Sequence, residues 1–442
     1  MDIFVIRGGT PLVGSIALAG AKNVALKALV ASLLTDEPLI LSGVPLIRDV
    51  ALMGELLAGL GRKVIFNEHT VRIEKDGKDS FQVPLELGAR LRTSSMVLGP
   101  LLARRGEAII PNPGGCRIGA RPIDRHIEGL VKMGADISYH SEDGYFHARA
   151  KKLTGVTYEF PKNTHTGTET LILAAVLAEG TTVLRNAAQE IEIDDLIALL
   201  NSMGAQITRS DTREITIKGV PSLHGGAYSI MPDRNEEVTF AIAAAVTGGR
   251  ITITNSQHEH LEAFLDAFRK AGGTAEVEGA TTTYASGGAL TAVDVTTAPH
   301  PGFMTDWQAP WAVLMTQAKG SATIHEAVFE SRFSYVPELK KMGADISFFD
   351  PPVENPEVFY NYNWSDRVPG FHPAIRIAGP THLHNAVVNI TDLRAGATLV
   401  LAALAAQGES YVHGIEHLDR GYEAFETRLS QLGAQLKRIN EE

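Results

Sequence analysis

The chain of 442 residues carries 40 Lys and Arg against 51 Asp and Glu, a formal net charge of −11, and this acidic balance argues against bulk nucleic-acid binding. Its 44% hydrophobic and 21% charged residues are typical of a globular protein with about two to four domains. The apolar stretches are shorter than a membrane span, the first residues do not resemble a signal peptide, and there is one cysteine, so we expect a cytoplasmic protein without disulfides.

A repeated pattern organises the predicted elements. An amphipathic helical stretch ends in a hydrophobic residue followed by glycine, and an alternating strand comes next. Glycine ends helices in this way because it adopts the left-handed conformation without steric cost. Along the chain the pattern recurs at intervals of roughly 70 residues, at Leu60-Gly61, Met133-Gly134, Met203-Gly204, Ala271-Gly272, Met342-Gly343 and Leu432-Gly433. The sequence therefore predicts six units of mixed helix and strand.

The six units divide most simply into two groups of three. A polar stretch containing Pro232 lies between the third and fourth units and marks the predicted boundary. Units that each bury one face favour an α/β architecture. The last interval exceeds the others by about twenty residues, and the excess falls in a segment rich in Pro, Asn, Tyr and His. We therefore predict an insertion near 349–385.

One segment, 112–122, combines three glycines, two prolines and the only cysteine of the chain. A lone cysteine is commonly a buried small hydrophobic residue. Here Cys116 lies beside Arg117 and near Arg121, and both cations would lower the pKa of its thiol. The glycines would let the segment close over a ligand. These neighbours favour a reactive cysteine on a lid.

Three further charged residues lie where an anion-binding or catalytic role is possible. Lys22 opens the first predicted helix, where backbone amides favour anions, and Arg420 precedes the last helix. Either one can also be an ordinary surface cation. Asp306 follows a turn braced by two prolines, which suits a general base, although a helix cap at Thr305 or Asp306 explains it equally well.

Metal-binding motifs are weak. His258 and His260 would share a face only in a strand, and His382 and His384 lie in the predicted insertion. A single cysteine also removes the usual zinc arrangements. These patterns give only weak support for a bound metal ion.

These motifs resemble those of the UDP-N-acetylglucosamine 1-carboxyvinyltransferases, the enolpyruvyl transferases of bacterial peptidoglycan synthesis. The resemblance covers nearly the whole chain. Its most specific element is Gly114-Gly115-Cys116-x-Ile118-Gly119-Ala120-Arg121-Pro122. Supporting motifs are Gly20-Ala21-Lys22-Asn23, Thr297-Ala298-Pro299-His300-Pro301, Ala327-Val328-Phe329-Glu330, Thr391-Asp392-Leu393-Arg394-Ala395 and His417-Leu418-Asp419-Arg420-Gly421-Tyr422.

The resemblance implies a two-domain inverse α/β barrel with three repeats in each domain. The first domain would cover 22–232, and the second 1–21 plus 233–442. It also implies a transferase that moves an enolpyruvyl group from phosphoenolpyruvate to the 3-hydroxyl of UDP-N-acetylglucosamine and releases phosphate, without a metal or an organic cofactor. Its partners would be these small molecules, without nucleic acid or membrane.

The resemblance further implies roles for individual residues. Asp306 would accept the hydroxyl proton, and Cys116 would act as the acid on the lid. Lys22, Arg121 and Arg420 would hold the phosphate and carboxylate of phosphoenolpyruvate, with Arg92 and Asp392 nearby. Asn23 and the backbone of Val328 would position the sugar nucleotide, and the run Arg121, Pro122, Ile123, Asp124 and Arg125 would meet its nucleotide end.

Two stretches differ from the family pattern. Thr164-His165-Thr166-Gly167-Thr168 replaces Ser-Val-Gly-Ala-Thr, and Asn235-Glu236-Glu237-Val238-Thr239 replaces Ile-Glu-Thr-Gly-Thr. These differences leave open another acceptor, such as a different UDP-sugar or a nucleotide. A non-catalytic binding protein of the same fold is a further alternative.

Overall fold

The computed structural model describes residues 2–77, 79–114, 122–209, 213–367 and 370–441. Its helices are α1 (Lys22–Ala31), α2 (Arg48–Gly59), α3 (Leu85–Arg90), α4 (Leu98–Arg105), α5 (Asp124–Lys132), α6 (His165–Ala175), α7 (Ile191–Ser202), α8 (Arg234–Val246), α9 (Glu262–Lys270), α10 (Thr305–Thr316), α11 (Val336–Lys341), α12 (Pro356–Phe359), α13 (Leu393–Ala405) and α14 (Phe425–Gln431). Its strands are β1 (Asp2–Arg7), β2 (Val13–Ala17), β3 (Leu39–Ser42), β4 (Arg62–Asn67), β5 (Thr70–Lys75), β6 (Glu107–Pro111), β7 (Asp136–His140), β8 (Tyr145–Arg149), β9 (Thr157–Glu159), β10 (Thr181–Arg185), β11 (Gln206–Arg209), β12 (Glu214–Lys218), β13 (Gly226–Ser229), β14 (Arg250–Thr254), β15 (Gly273–Glu278), β16 (Thr281–Ser286), β17 (Val295–Thr296), β18 (Gly320–His325), β19 (Asp345–Phe349), β20 (Ala374–Gly379), β21 (Val387–Asn389), β22 (Glu409–His413) and β23 (Gln435–Asn440).

The chain forms two units. The first unit contains the described residues within 20–231, and the second unit contains 2–19 together with those within 232–441. The amino-terminal strands β1 and β2 both belong to the second unit: β1 pairs with β22 and β23, and β2 pairs with β14. Each unit therefore has its own set of sheets.

Every predicted repeat corresponds to one sheet among the described residues. Three antiparallel strands are extended by a fourth that runs parallel to its neighbour, in the orders β13-β3-β5-β4, β9-β10-β12-β11, β2-β14-β16-β15, β17-β18-β20-β19 and β21-β22-β1-β23. The sixth sheet, β6-β8-β7, has three strands, and a parallel bridge from Gln82 to Ile109 takes the fourth place. The sixfold repeat is thus confirmed in the topology.

The helix-ending glycines act as predicted. The six glycines of the hydrophobe–glycine pairs, Gly61, Gly134, Gly204, Gly272, Gly343 and Gly433, have φ between 88° and 100°. A side chain with a Cβ is disfavoured at such angles. Each glycine turns the chain from a helix into the following strand.

Helices fill the inside of each unit and sheets lie outside, the arrangement that defines an inverse barrel. In the second unit, buried residues make up nearly all of α8, α10 and α13, which pack against one another. In the first unit α1 and α6 are buried to a similar degree. Because these helices are buried on nearly all sides, they form the centres of the two cores.

The predicted insertion is shorter than the sequence suggested. Strand β19 ends at Phe349, and β20 lies inside the predicted segment but pairs with both β18 and β19 as part of the repeat. The additional chain is therefore 350–373, which replaces a hairpin turn. Its aromatic residues Tyr360 and Tyr362 pack on Ala327, and the backbone N–H of Asn361 donates to the Ala327 carbonyl at 2.8 Å. Composition alone did not reveal that the apolar residues of β20 alternate like those of the other strands.

Across the part of the chain that the structure describes, none of the helices is long and apolar enough to cross a membrane.

Candidate active site

The start of α1 holds a cation in place. A Cβ on Gly20 would lie 1.7 Å from the carbonyl oxygen of Gly43, so only glycine allows the chain to enter α1 along this path. Lys22 is the first residue of the helix, and its Nζ lies 2.8 Å from Oδ2 of the buried Asp49. Asn23 follows and is half-buried. Backbone amides and a fixed ammonium group thus lie together at this helix start, which suits an anion.

A second group of predicted binding residues surrounds the start of α5. Arg92 donates from Nη2 to the carbonyl of Pro122 at 3.4 Å. Ile123 is buried immediately before α5, and Asp124 is the first residue of the helix. Arg125 donates from Nη1 to the carbonyl of Asn163 at 3.3 Å. The structure therefore brings Arg92, Pro122 and Arg125 together beside the start of α6.

His126 responds to the positive field of this region. Its ring is buried, and Nε2 lies 3.0 Å from Oγ1 of Thr166. Burial, together with the charges of Arg92 and Arg125, lowers the pKa of His126 to about 3. The imidazole is therefore neutral near pH 7, and the two arginines leave the region electropositive.

The first family difference, at 164–168, lies at the start of α6. Thr164 caps the helix by accepting a hydrogen bond from the Gly167 N–H at 3.2 Å. Nε2 of His165 and Nζ of Lys27 both lie 3.2 Å from Oε1 of the buried Glu169. Burial by itself would lower the pKa of His165, but the Glu169 carboxylate outweighs it and raises that pKa. The substitution thus adds a histidine to an internal ion cluster.

In the second unit, Asp306 lies in the first turn of α10 rather than in a loop, and it does not cap the helix. Its Oδ1 accepts from Nη2 of Arg332 at 2.8 Å and from Nε of Arg394 at 3.3 Å. Burial would raise the pKa of Asp306, but Arg394 and Arg332 outweigh it and hold that pKa well below its usual range. Asp306 is therefore an ionised carboxylate held by two buried guanidinium groups.

Neither Arg332 nor Arg394 was predicted from the sequence to have a role in the site. Arg332 is fixed by Thr305, since its Nε donates to Oγ1 and its Nη2 to the carbonyl, each at 3.1 Å. Arg394 donates from Nη1 to the hydroxyl of Tyr422 at 3.0 Å. Arg394 lies within one of the motifs quoted for the resemblance and could have been found there. Arg332 lies outside those motifs, and only its contacts identify it.

Asp392 and Val328 have internal roles that were not predicted. Asp392 caps α13, because Oδ1 accepts from the N–H groups of Arg394 at 3.0 Å and Ala395 at 3.1 Å. Its other oxygen accepts from the Ser334 hydroxyl at 2.7 Å. The Val328 N–H donates to Oε1 of Glu326 at 2.8 Å. Asp392 thereby orients the start of the helix that carries Arg394.

Arg420 lies in the turn before α14 and is half-buried. Two residues later, the Tyr422 hydroxyl contacts Oγ1 of Thr239 at 2.8 Å and accepts from Arg394. The turn that carries Arg420 is therefore fastened to the same arginine that holds Asp306.

The second family difference, at 235–238, is used within the second unit. Asn235 accepts a hydrogen bond from the indole of Trp307 at 2.9 Å. Glu237 is buried and accepts from Ser256 at 2.6 Å and from Tyr284 at 2.7 Å. These contacts assign Asn235 and Glu237 to the core.

Cys116 and Arg121 lie outside the described residues. The segment leading to them is fixed at Gly114, whose N–H donates to the Gly88 carbonyl at 3.3 Å. A Cβ on Gly114 would lie 1.5 Å from the Ala89 carbonyl oxygen, so this close approach to α3 requires glycine.

Comparison with known proteins shows which fold this architecture shares. The family model described as EPSP synthase (3-phosphoshikimate 1-carboxyvinyltransferase) matches residues 6–429. The crystal structure of the enolpyruvyl transferase NikO from Streptomyces tendae superposes with a TM-score of 0.87 at 24% identity, covering 100% of this chain and 99% of that one. EPSP synthase from Acinetobacter baumannii superposes with a TM-score of 0.73 at 18% identity over 100% of both chains. The fold is that of the enolpyruvyl transferases.

Relatives with higher sequence identity show which family of enolpyruvyl transferases the chain belongs to. A protein of Desulfosudis oleivorans named UDP-N-acetylglucosamine 1-carboxyvinyltransferase is 44% identical over 99% of this chain and 100% of its own length. A protein of Magnetococcus marinus with the same name is 45% identical, again over 99% of this chain and 100% of its own. The chain belongs to the family of UDP-N-acetylglucosamine 1-carboxyvinyltransferases and is a transferase.

Proposed function

We propose that this protein transfers the enolpyruvyl group of phosphoenolpyruvate to the 3-hydroxyl of UDP-N-acetylglucosamine and releases phosphate. The observation that carries the proposal is identity of 44–45% over 99% of the chain to proteins named for this reaction. The reaction would begin peptidoglycan synthesis, with a cytoplasmic location that suits a chain with one cysteine.

Phosphoenolpyruvate carries a phosphate and a carboxylate, so its site needs several cations. Lys22, Arg121 and Arg420 would supply them, with Arg92 nearby. Guanidinium groups bind both anions through paired hydrogen bonds, which orients as well as attracts the substrate. Lys22 is already held rigidly by Asp49, with 2.8 Å between charged atoms, which supports its role as a positioned cation.

The chemistry requires one proton to be added and another removed. Cys116 would protonate the methylene carbon of phosphoenolpyruvate while the sugar hydroxyl attacks C2 and gives its proton to Asp306. The Cys116 thiolate would then take a proton back from the new methyl group of the tetrahedral adduct while phosphate leaves, and this elimination forms the C=C bond of the enol ether product. Fixed cations around the phosphate and carboxylate stabilise the negative charge of this adduct.

The surroundings of Asp306 make its basicity depend on the substrate. In the free protein Arg332 and Arg394 stabilise the ionised carboxylate, so it is a weak base. An anionic substrate near these arginines would offset their charge and raise the pKa of Asp306. The carboxylate would then accept a proton most readily when the donor substrate is bound.

Residues from several of the family motifs would position the sugar nucleotide. Asn23 and the Val328 backbone would hold the sugar, with Asp392 acting through the α13 start. Since the Val328 N–H is already bonded to Glu326, the carbonyl is the backbone group we assign to the ligand. Arg92 and the run Arg121, Pro122, Ile123, Asp124 and Arg125 would meet the nucleotide end, in the region where burial and two arginines keep His126 neutral.

Purified protein incubated with phosphoenolpyruvate and UDP-N-acetylglucosamine tests the proposal. We expect release of one phosphate per sugar nucleotide consumed and a product heavier by one enolpyruvyl group in mass spectrometry. Parallel reactions with UDP-glucose and UDP-N-acetylgalactosamine test the acceptor. Phosphate release with another UDP-sugar alone would contradict the assigned acceptor, and no release with any acceptor would contradict the activity.

A further inference from the structure

A second cluster of reactive side chains lies on the hairpin formed by β7 and β8 in the first unit. His140 ends β7, Asp143 lies in the connecting turn, and His147 lies in β8. One ligand atom from each of the three side chains can be chosen so that all lie within 4.8 Å of one another. Among the described residues, this is the one group of three or more His, Cys, Asp or Glu side chains whose ligand atoms lie this close together.

The pairing of the strands explains why the histidines meet. His147 lies directly opposite Ser138, and His140 is two residues beyond Ser138 on the same face. The two imidazole rings stack with their centroids 4.1 Å apart. On the opposite face, Tyr139 and Phe146 pack with ring centroids 4.9 Å apart and hold the strands together. The register thus sets the two imidazoles side by side.

The turn places the carboxylate beside them. Gly144 has φ of 78° and donates its N–H to the His140 carbonyl at 2.9 Å, which closes the turn. Oδ1 of Asp143 accepts from the Tyr145 N–H at 2.9 Å. Its second oxygen, Oδ2, lies 2.8 Å from Nε2 of His147. One oxygen therefore anchors the side chain, and the other points at the imidazole pair.

We propose that His140, Asp143 and His147 form a binding site for a divalent transition metal ion such as Zn²⁺. Two imidazoles and one carboxylate are a preferred zinc ligand set, with water completing a four-coordinate sphere. Zinc–ligand bonds are about 2.0–2.2 Å long, so small side-chain rotations would bring the three donor atoms around one ion. Ser138, whose hydroxyl lies 3.0 Å from Nε2 of His140, would orient that ring from outside the ligand set.

The site is separate from the proposed transferase chemistry, which uses none of these three residues. Calcium and magnesium prefer oxygen ligands and are not expected to bind here. The bound ion would clamp the tip of the hairpin and stabilise the folded chain.

Zinc titration of the full chain, free of any histidine tag, tests the site. The Cys116→Ser background removes the thiol, which is itself a zinc ligand. Competition with a chromophoric chelator should show one Zn²⁺ per chain. His140→Ala, His147→Ala and Asp143→Asn should each weaken binding by about tenfold or more. Asp143→Asn is the mildest change, because the amide oxygen can still accept the hydrogen bond from the Tyr145 N–H.

His69→Ala is the matched control, since His69 is an exposed histidine at the tip of the β4–β5 hairpin. This variant should bind zinc as tightly as the Cys116→Ser parent protein does, and Mg²⁺ should not compete with Zn²⁺ for the site. Co²⁺ should give visible absorption bands that His140→Ala abolishes. Absence of zinc binding by the parent, or equal binding by the parent and all three site variants, would overturn the proposal.

Discussion

At the scale of single residues, the charged cluster of the second unit is built around Asp306. The carboxylate was predicted from the sequence, but its two guanidinium partners were not. They come from Arg332 and Arg394, 26 and 88 residues away in the chain. The protein therefore holds one anion between two cations, and under the proposed function a bound anionic substrate would change the balance between these charges.

Replacing Asp306 tests its role as the base. Asp306→Asn keeps the size of the side chain and an oxygen for Arg332, but removes the group that accepts a proton. We expect turnover to fall by about 10²–10⁴-fold while UDP-N-acetylglucosamine binding is retained. Phosphate release and calorimetric titration measure the two properties. The exposed Asp345→Asn should behave like the parent protein, and near-parental turnover in Asp306→Asn would remove this residue from the mechanism.

Arg420 should act mainly on phosphoenolpyruvate. Arg420→Lys keeps the charge but loses the planar pair of hydrogen-bond donors. We expect weaker saturation by phosphoenolpyruvate and lower turnover, with sugar-nucleotide affinity nearly unchanged. The exposed Arg376→Lys serves as the control. Lost sugar-nucleotide binding with normal phosphoenolpyruvate saturation would show that the assignment is wrong.

At the scale of elements, the fold depends on how helices end and how they are tied to each other. Positive-φ glycines end the outer helices of all six repeats. Buried polar contacts then connect helices within a unit, as His126 of α5 contacts Thr166 of α6 at 3.0 Å. The glycine helix ends depend on local backbone conformation, whereas the buried polar contacts depend on tertiary packing. We therefore expect the first to be sensitive to substitution of the glycine and the second to be sensitive to pH.

Gly134 tests the helix-ending device. Its φ is 100°, and a Cβ would come no closer than 3.7 Å to its nearest neighbour, so alanine here adds backbone strain without a clash. We expect Gly134→Ala to lower the free energy of unfolding by about 1–2 kcal/mol in urea denaturation. Gly59 is the last residue of α2 and has a helical conformation, so Gly59→Ala should change the free energy of unfolding by less than about 1 kcal/mol. Equal effects of the two substitutions would contradict this account.

His126 makes the first unit sensitive to acid. In the unfolded chain its pKa is near 6.5, whereas burial and the two arginines lower the folded-state pKa to about 3. Between these values the unfolded chain binds a proton that the folded chain does not. Stability is therefore full above pH 6.5 and falls as the pH decreases toward 3, by up to about 1.4 kcal/mol per pH unit.

The variant His126→Gln keeps a hydrogen-bond partner for Thr166 but does not titrate. Urea denaturation between pH 4 and pH 7.5 should show a flatter decline for this variant than for the parent. The exposed His382→Gln should follow the parent. If the parent and His126→Gln have parallel pH profiles, the acid sensitivity comes from other groups.

At the scale of the whole molecule, the chain order is interleaved with the two units. Strands β1 and β2 lie in the second unit although the chain then continues into the first. The predicted lid segment follows β6, at the end of a path fixed to α3 through Gly114. The single cysteine of the whole chain is in that segment, so covalent chemistry can be read from the intact mass.

The epoxide fosfomycin should therefore add once per chain, at Cys116. Arg117 and Arg121, which are close to Cys116 in the sequence, should favour the thiolate, and a phosphonate would occupy the cationic site proposed for phosphoenolpyruvate. Bound UDP-N-acetylglucosamine should speed the reaction by bringing the lid over the site. Cys116→Asp should resist the inhibitor and keep some activity, because a carboxylic acid can still donate a proton. Absence of an adduct under saturating sugar nucleotide, or an equal adduct in Cys116→Ala, would refute the lid model.

Local sequence determined the repeat, because the signals for helix ends and strands lie within a few residues of each other. Gly134 needs no distant partner to adopt a positive φ, and the alternation in β7 follows from the same short stretch. The limits predicted for the insertion were too wide, since only pairing with β18 and β19 identifies β20 as a strand of the repeat.

By itself, the sequence determined the α/β class, the six repeats and, through its motifs, the enolpyruvyl transferase family. Tertiary structure alone decided which charges meet. It joined Arg394 to Asp306 and placed Arg92 close enough to the buried His126 to help keep that imidazole neutral. The physical reason is that backbone conformation follows from near neighbours, whereas Coulomb energies depend on distances of a few ångströms between residues far apart in the chain.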